Sequence, residues 1–186
     1  MYIIGAIALI GLLTVMVKGS TLPGAGIDRE ELELRASDIQ QYAMELERAV
    51  AYILQSGYSE SDIRFAHPNH SSAYGDITDT PERQVFTREG GGATWRDNDA
   101  TIQTTDTDWY FSAGQCMAYV GSGDHVTCLA ENSDLIAYLP NINRDLCIAM
   151  NEKLNVDNPG GNPPQDTSNG WGTTEYNGTF VNGGPK

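Results

Sequence analysis

The chain has 186 residues, with 11 Lys+Arg against 25 Asp+Glu and a formal net charge of -14. Nucleic acid is excluded as a direct partner, because phosphates would be repelled, and so is charge-driven docking on an anionic membrane. The length suits one domain with an appendage rather than two full domains.

The first segment, Met1–Val17 (MYIIGAIALIGLLTVMV), carries no charge, so the whole imbalance sits on Lys18–Lys186. An apolar run of this size is near the lower limit of a membrane-spanning helix, about 17 residues. Gly5, Ala6, Ala8 and Gly11 would let helix backbones approach closely, and there is no polar face for interfacial binding. Three readings follow. A secretory signal peptide would have small residues for cleavage at Gly24-Ala25-Gly26, but it should begin with a basic stretch that is missing here. A membrane anchor would leave a displayed domain behind it. A third possibility is a helix that leaves the membrane and is buried among copies of itself.

Lys18–Ile27 reads KGSTLPGAGI, and Gly19, Pro23, Gly24 and Gly26 predict an extended or melted connector. Asp28 and Glu31 have capping-box spacing. Glu30, Glu31 and Glu33 then crowd a first turn where the helix dipole favours acids. An amphipathic helix is predicted over 28–56, with Gly57 as its stop. Leu32, Ile39, Tyr42, Ala43, Leu46, Val50, Ile53 and Leu54 form its apolar stripe. The C-terminal half reads as a core helix and the N-terminal half as a surface for neighbouring subunits.

Beyond Tyr58 the chain is mostly loop as far as Thr80. Short strand patterns follow at Gln84–Arg88, Ala93–Trp95 and Trp109–Ser112, with the Gly90-Gly91-Gly92 turn between the first two. Met117–Val120 and His125–Leu129 flank Gly121-Ser122-Gly123-Asp124, a hairpin signal. Helical patterning is predicted over Ser133–Leu139, ending at Pro140, and again from about Ile142 to Asn155. The last segment, 157–186, is rich in Gly, Pro and Asn. It would be disordered in isolation, but Trp171, Tyr176 and Phe180 predict a tail pinned across the domain by aromatic anchors. The fold class is α+β: a long N-terminal helix broken by a Pro/Gly connector, a small antiparallel sheet, short helices and an irregular C-terminal region. The division is 1–27 for the hydrophobic assembly or membrane helix with its connector, and 28–186 for the domain.

Chemistry-bearing patterns are sparse. The cysteines are Cys116, Cys128 and Cys147. Outside the cytoplasm one disulfide is expected, either Cys116–Cys128 across the hairpin or, as favoured here, Cys128–Cys147 to the last helix. The second would be worth roughly 3 kcal/mol in the chain-entropy model. His67, His70 and His125 lack metal-site spacing. Asp97, Asp99, Asp106 and Asp108 offer oxygen ligands of the kind calcium takes, but without the EF-hand order, and a solvated acidic loop is the expectation. Gly121-Ser122-Gly123 is not a nucleophile elbow, and Gly90-Gly91-Gly92 is not a phosphate loop. No catalytic residue, cofactor or small-molecule substrate is expected. Asn69-His70-Ser71 and Asn177-Gly178-Thr179 fit the N-glycosylation pattern.

The order of these parts resembles the type IV pilins and the related pseudopilins. The likeness is carried by the apolar Met1–Val17, by Pro23, by the amphipathic helix over 28–56, and by the stretch from Asp134 through Leu146-Cys147 to Asn158-Pro159-Gly160-Gly161-Asn162-Pro163-Pro164. It implies a subunit held first in a bacterial inner membrane and then assembled with copies of itself into an extracellular helical filament. Ile3, Ile4, Ile7, Leu9, Ile10, Leu12, Leu13, Val15 and Met16 would form the filament core, with Pro23 and Gly24 at a melted joint and the acidic domains outside. A disulfide in the C-terminal half is frequent in that family, which suits Cys128 and Cys147. Gly5 stands where the family usually carries Glu. The implied role is structural, in surface adhesion or motility. The alternatives are a pseudopilin of a type II secretion-like machine and a monomeric membrane-anchored periplasmic binding domain.

Overall fold

The structure, a computed structural model, describes residues 25–97, 99–115, 129–130, 133–164 and 175–180. It is α+β: a long helix, a small two-stranded antiparallel sheet, a second short helix and much irregular backbone.

Helix α1 spans Ala25–Gln55, 31 residues. It begins before the expected capping box, so Ala25–Ile27, assigned to the connector from the sequence, form its first turn. The pairs Arg29–Glu33 and Arg35–Glu31, at 3.3 and 2.8 Å, support the early turns at four-residue spacing. The stop falls where expected. Gly57 takes φ +94, and its N–H donates to the Leu54 carbonyl at 3.0 Å.

One face of α1 is buried: Ala36, Ile39, Tyr42, Leu46, Ala49 and Ile53 recur at three- and four-residue steps. Against it lies an aromatic core. Tyr42 meets Trp109 edge-on at 5.2 Å, and Phe65 stacks on Phe111 at 4.0 Å.

Strand β1 is Tyr110–Gln115 and strand β2 is Asp134–Tyr138, antiparallel, with Tyr110 opposite Tyr138 and Ser112 opposite Ile136. The register slips between Ser112 and Gln115, where Gln115 faces Asp134. The helix predicted over Ser133–Leu139 is therefore corrected to a strand. Pro140 limits that segment to fewer than two turns, too few to repay helix nucleation. The buried backbone of β1 also needs ladder partners, which β2 supplies.

The expected strand Gln84–Arg88 is also corrected. Only Gln84 bridges, in parallel, to Arg64, and turns follow at once. The chain doubles back so tightly that Gly91 N–H reaches the Gln84 carbonyl at 2.9 Å and Ala93 N–H reaches that of Val85 at 3.0 Å. A methyl group on Gly91 would sit 2.7 Å from the Ala49 methyl of α1. Gly91 is thus a close-approach site under α1, and Ala93–Trp95 is not a strand.

Irregular backbone between 58 and 109 is held by buried polar side chains. Gln84, 1% exposed, accepts from Ala66 N–H and donates to the carbonyls of Asp76 and Asp79. Gln103 donates to the Thr107 and Pro140 carbonyls. The Tyr74 hydroxyl accepts from Phe111 N–H at 3.0 Å and donates to the Phe111 carbonyl at 3.3 Å.

Helix α2 spans Arg144–Lys153, capped by Asn143, whose side chain accepts from Leu146 N–H at 2.9 Å. Leu146 is fully buried. The tail segment 175–180 crosses the free edge of β1. Glu175 bridges to Ser112, Tyr176 N–H donates to the Phe111 carbonyl, and the Tyr176 hydroxyl donates to the Glu60 carbonyl. Phe180 packs edge-on to Tyr176 at 5.5 Å. Of the three expected anchors, Tyr176 and Phe180 hold the tail, and Trp171 lies outside the described residues.

Candidate functional site

The residues expected to build a filament core (Ile3, Ile4, Ile7, Leu9, Ile10, Leu12, Leu13, Val15 and Met16) and the joint Pro23–Gly24 lie outside the described residues. So do the predicted hairpin over 117–129, except Leu129, and Cys116 and Cys128. Cys147 sits half-buried on α2 and has no disulfide among the described residues, while its expected partner Cys128 lies outside them. No described helix is long and apolar enough to cross a membrane.

The structure does describe the helix that follows the apolar run and its connector in sequence. The outer face of α1 leaves Leu34, Met44 and Tyr52 at 67%, 52% and 56% exposure. These are large apolar groups on the side away from the core. The sequence stripe singled out the inner residues and missed these three.

At its N-terminal end α1 packs on α2, leaving a groove of 810 Å³ between them. Leu32, Leu34, Ile148 and Ala149 give it apolar walls. Arg29, Glu30, Glu33, Asp145, Glu152 and Lys153 ring it, four carboxylates against two cations. Both cations are engaged. Arg29 lies 3.3 Å from Glu33 and 3.6 Å from Glu152, and the Lys153 ammonium donates to the Ser37 hydroxyl. Glu31 is paired with Arg35, and Asp145 with Arg144. Glu30 has no ion pair among the described residues.

A second, smaller cavity of 220 Å³ lies under the middle of α1, lined by Ile39, Tyr42, Ile102, Trp109 and Leu139 with charged residues at its mouth. The Arg96 guanidinium covers the Tyr42 ring at 4.5 Å. The Tyr42 hydroxyl is buried without a hydrogen-bond partner among the described residues, and burial pushes its pKa up to about 12.

His67 and His70 form an aromatic slab, and His125 lies outside the described residues. His67 stacks on Trp95 at 4.5 Å and His70 on Tyr74 at 4.0 Å. His70 Nε2 lies 3.1 Å from the Trp109 carbonyl, and Nδ1 is buried without a hydrogen-bond partner among the described residues. Burial holds both imidazoles below their ordinary pKa, with Asp97 acting in the opposite sense on His67 and Asp108 on His70.

The acidic loop is largely occupied with local bonds. Asp97 accepts from Trp95 Nε1 and Asn69 Nδ2. Asp99 accepts from the Thr101 hydroxyl and backbone and from Arg35, which hold its carboxyl below the usual range. Among the described residues no group of three His, Cys, Asp or Glu side chains is placed to hold a metal ion. The two glycosylation patterns differ in setting. The Asn69 side chain is tied to Asp97, whereas Asn177 is exposed on the bend after Tyr176.

No protein-family model, curated protein or solved structure matches this chain.

Proposed function

We propose that the chain is the structural subunit of a pilus-like helical filament. Its apolar N-terminal segments form the core and its acidic domains the exterior, with no catalysis. The observation that carries this reading is the two-sidedness of α1. One face is committed to the domain core through Ala36, Ile39, Tyr42, Leu46, Ala49 and Ile53. The other exposes Leu34, Met44 and Tyr52, on the element that continues the chain from Met1–Val17. An uncharged run outside a membrane must be covered. A helix presenting apolar groups on its outer face offers copies of itself as the cover. Repeating one such contact by a screw operation gives an open filament.

Electron microscopy of the full chain, released from detergent, is the test. Filaments with one helical rise and twist are the expected result. Monodisperse particles under conditions that favour assembly would overturn the reading and favour a membrane-anchored monomer.

A further inference from the structure

The filament reading leaves a charge to be placed. Lys18 is the first charged residue after the uncharged run and follows directly on Val15, Met16 and Val17. When runs cover one another, each copy brings one ammonium to the edge of an apolar core. An ammonium without a counter-charge is costly in such surroundings. The run itself supplies no carboxylate, since Gly5 and its neighbours are uncharged.

The groove between α1 and α2 has the complementary composition. Its walls are apolar at Leu32, Leu34, Ile148 and Ala149, and its rim carries an excess of carboxylates. The rim cations are already engaged by Glu33, Glu152 and Ser37. Glu30 lines the groove, is exposed, and has no ion pair among the described residues. Leu34 stands beside it at 67% exposure, although it is a large apolar side chain. A segment that is apolar and ends in one cation complements a groove that has apolar walls and one acid with no ion pair among the described residues.

We propose that this groove receives the Val15–Lys18 end of the apolar segment of a second copy, with the Lys18 ammonium on the Glu30 carboxylate. This rests on the filament reading and adds what sets its register. The apolar runs of two copies can slide along one another with little change in buried area, whereas a single ion pair at the core's edge fixes one position. The same logic lets one polar residue set register in coiled coils.

Charge exchange tests it. Lys18→Glu and Glu30→Lys are made singly, combined in one chain, and mixed as two single variants in equal amounts. Polymer is measured by sedimentation and electron microscopy. Each single variant is expected to lose at least about tenfold in polymer yield. Circular dichroism of the variants should stay unchanged, because Glu30 is exposed. The equal mixture is expected to recover, since the new carboxylate at position 18 of one copy then meets the new ammonium at position 30 of the other. Recovery in the doubly substituted chain but not in the mixture would place the pair within one copy and overturn the proposal. Single variants that polymerise like the parent would overturn it while leaving the filament reading intact, and so would recovery by neither combination. A parent chain that forms no filament at all would remove both.

Discussion

The two halves of α1 are built for different neighbours. From Ala36 onward its inner face is buried under aromatic rings, the close-approach glycine Gly91 and Trp109. From Arg29 to Leu34 it has α2 beside it, half-exposed Leu32, exposed Leu34 and a ring of charge. The first half-turns are held by ion pairs at the surface, worth about 0.2–0.5 kcal/mol each, and the later ones by burial worth several times more. One continuous helix therefore joins a rigid core to a surface whose own domain leaves it largely uncovered. Burial is concentrated on the inner face from Ala36 onward, whereas exposed apolar area runs along the outer face of both halves, at Leu34 in the first and at Met44 and Tyr52 in the second.

Substitutions can break or sharpen that contrast. The largest effect should come from Ile53→Ala, fully buried in the C-terminal half. It is expected to cost about 2–5 kcal/mol in urea unfolding. A loss below 1 kcal/mol would mean the half is not the anchored one. Gly91→Ala should follow, at about 1–3 kcal/mol, because the added methyl meets the Ala49 methyl at 2.7 Å. Tyr74→Phe removes the hydroxyl that serves both the N–H and the carbonyl of Phe111. It should destabilise by about 1–3 kcal/mol, read in the same experiment.

A smaller effect is expected from pH. His67 and His70 are held below their ordinary pKa by burial, so the unfolded chain takes up protons first as pH falls. Their contribution is whole above the unfolded value, about 6.5, and is lost as pH drops through the lowered folded values. The urea midpoint should fall on acidification below about pH 6.5, and substituting both histidines by Asn should flatten that slope. A midpoint that rises on acidification would contradict the buried slab. The smallest effect on stability belongs to Leu34→Ala on the outer face, within about 0.5 kcal/mol. The same change should nonetheless lower polymer yield. Equal effects on folding and assembly would erase the distinction between the two halves.

The elements legible from the sequence were those with a period. The α1 stripe and its Gly57 stop, the short helix over Arg144–Lys153 and the strand starting near Tyr110 all carry local patterns that survive tertiary packing. Asp134–Tyr138 was misread because five residues cannot distinguish the two periods, and the decision lay with β1, far away in sequence. Gln84–Arg88 looked like a strand by composition, yet its backbone was claimed by Gly91 and Ala93. The loops between 58 and 109 have no period because single side chains such as Gln84, Gln103 and Tyr74 hold them. Such hubs are recognisable only once the carbonyls they reach are in place. The surface features followed the same rule. Leu34, Met44 and Tyr52 are visible as residues, but which face of the helix is the outside is decided by what covers the inside. The groove needed α2 to exist at all.

The position of Tyr176 bears on synthesis. Its backbone closes the free edge of β1 at Phe111, its hydroxyl reaches back to Glu60, and its ring stands 6.1 Å from Phe65. The longest of these contacts joins residues 116 apart in sequence. Chains emerge from the ribosome at about 5–20 residues per second, so the aromatic core stays open for seconds after α1 has appeared. A product stopped before residue 176 would lack the ring that seals Phe65 and Phe111, leaving that edge unpaired and open to proteolysis. The segment at Tyr176 thereby makes the last of these contacts, and a chain without it lacks the closed edge over the aromatic core.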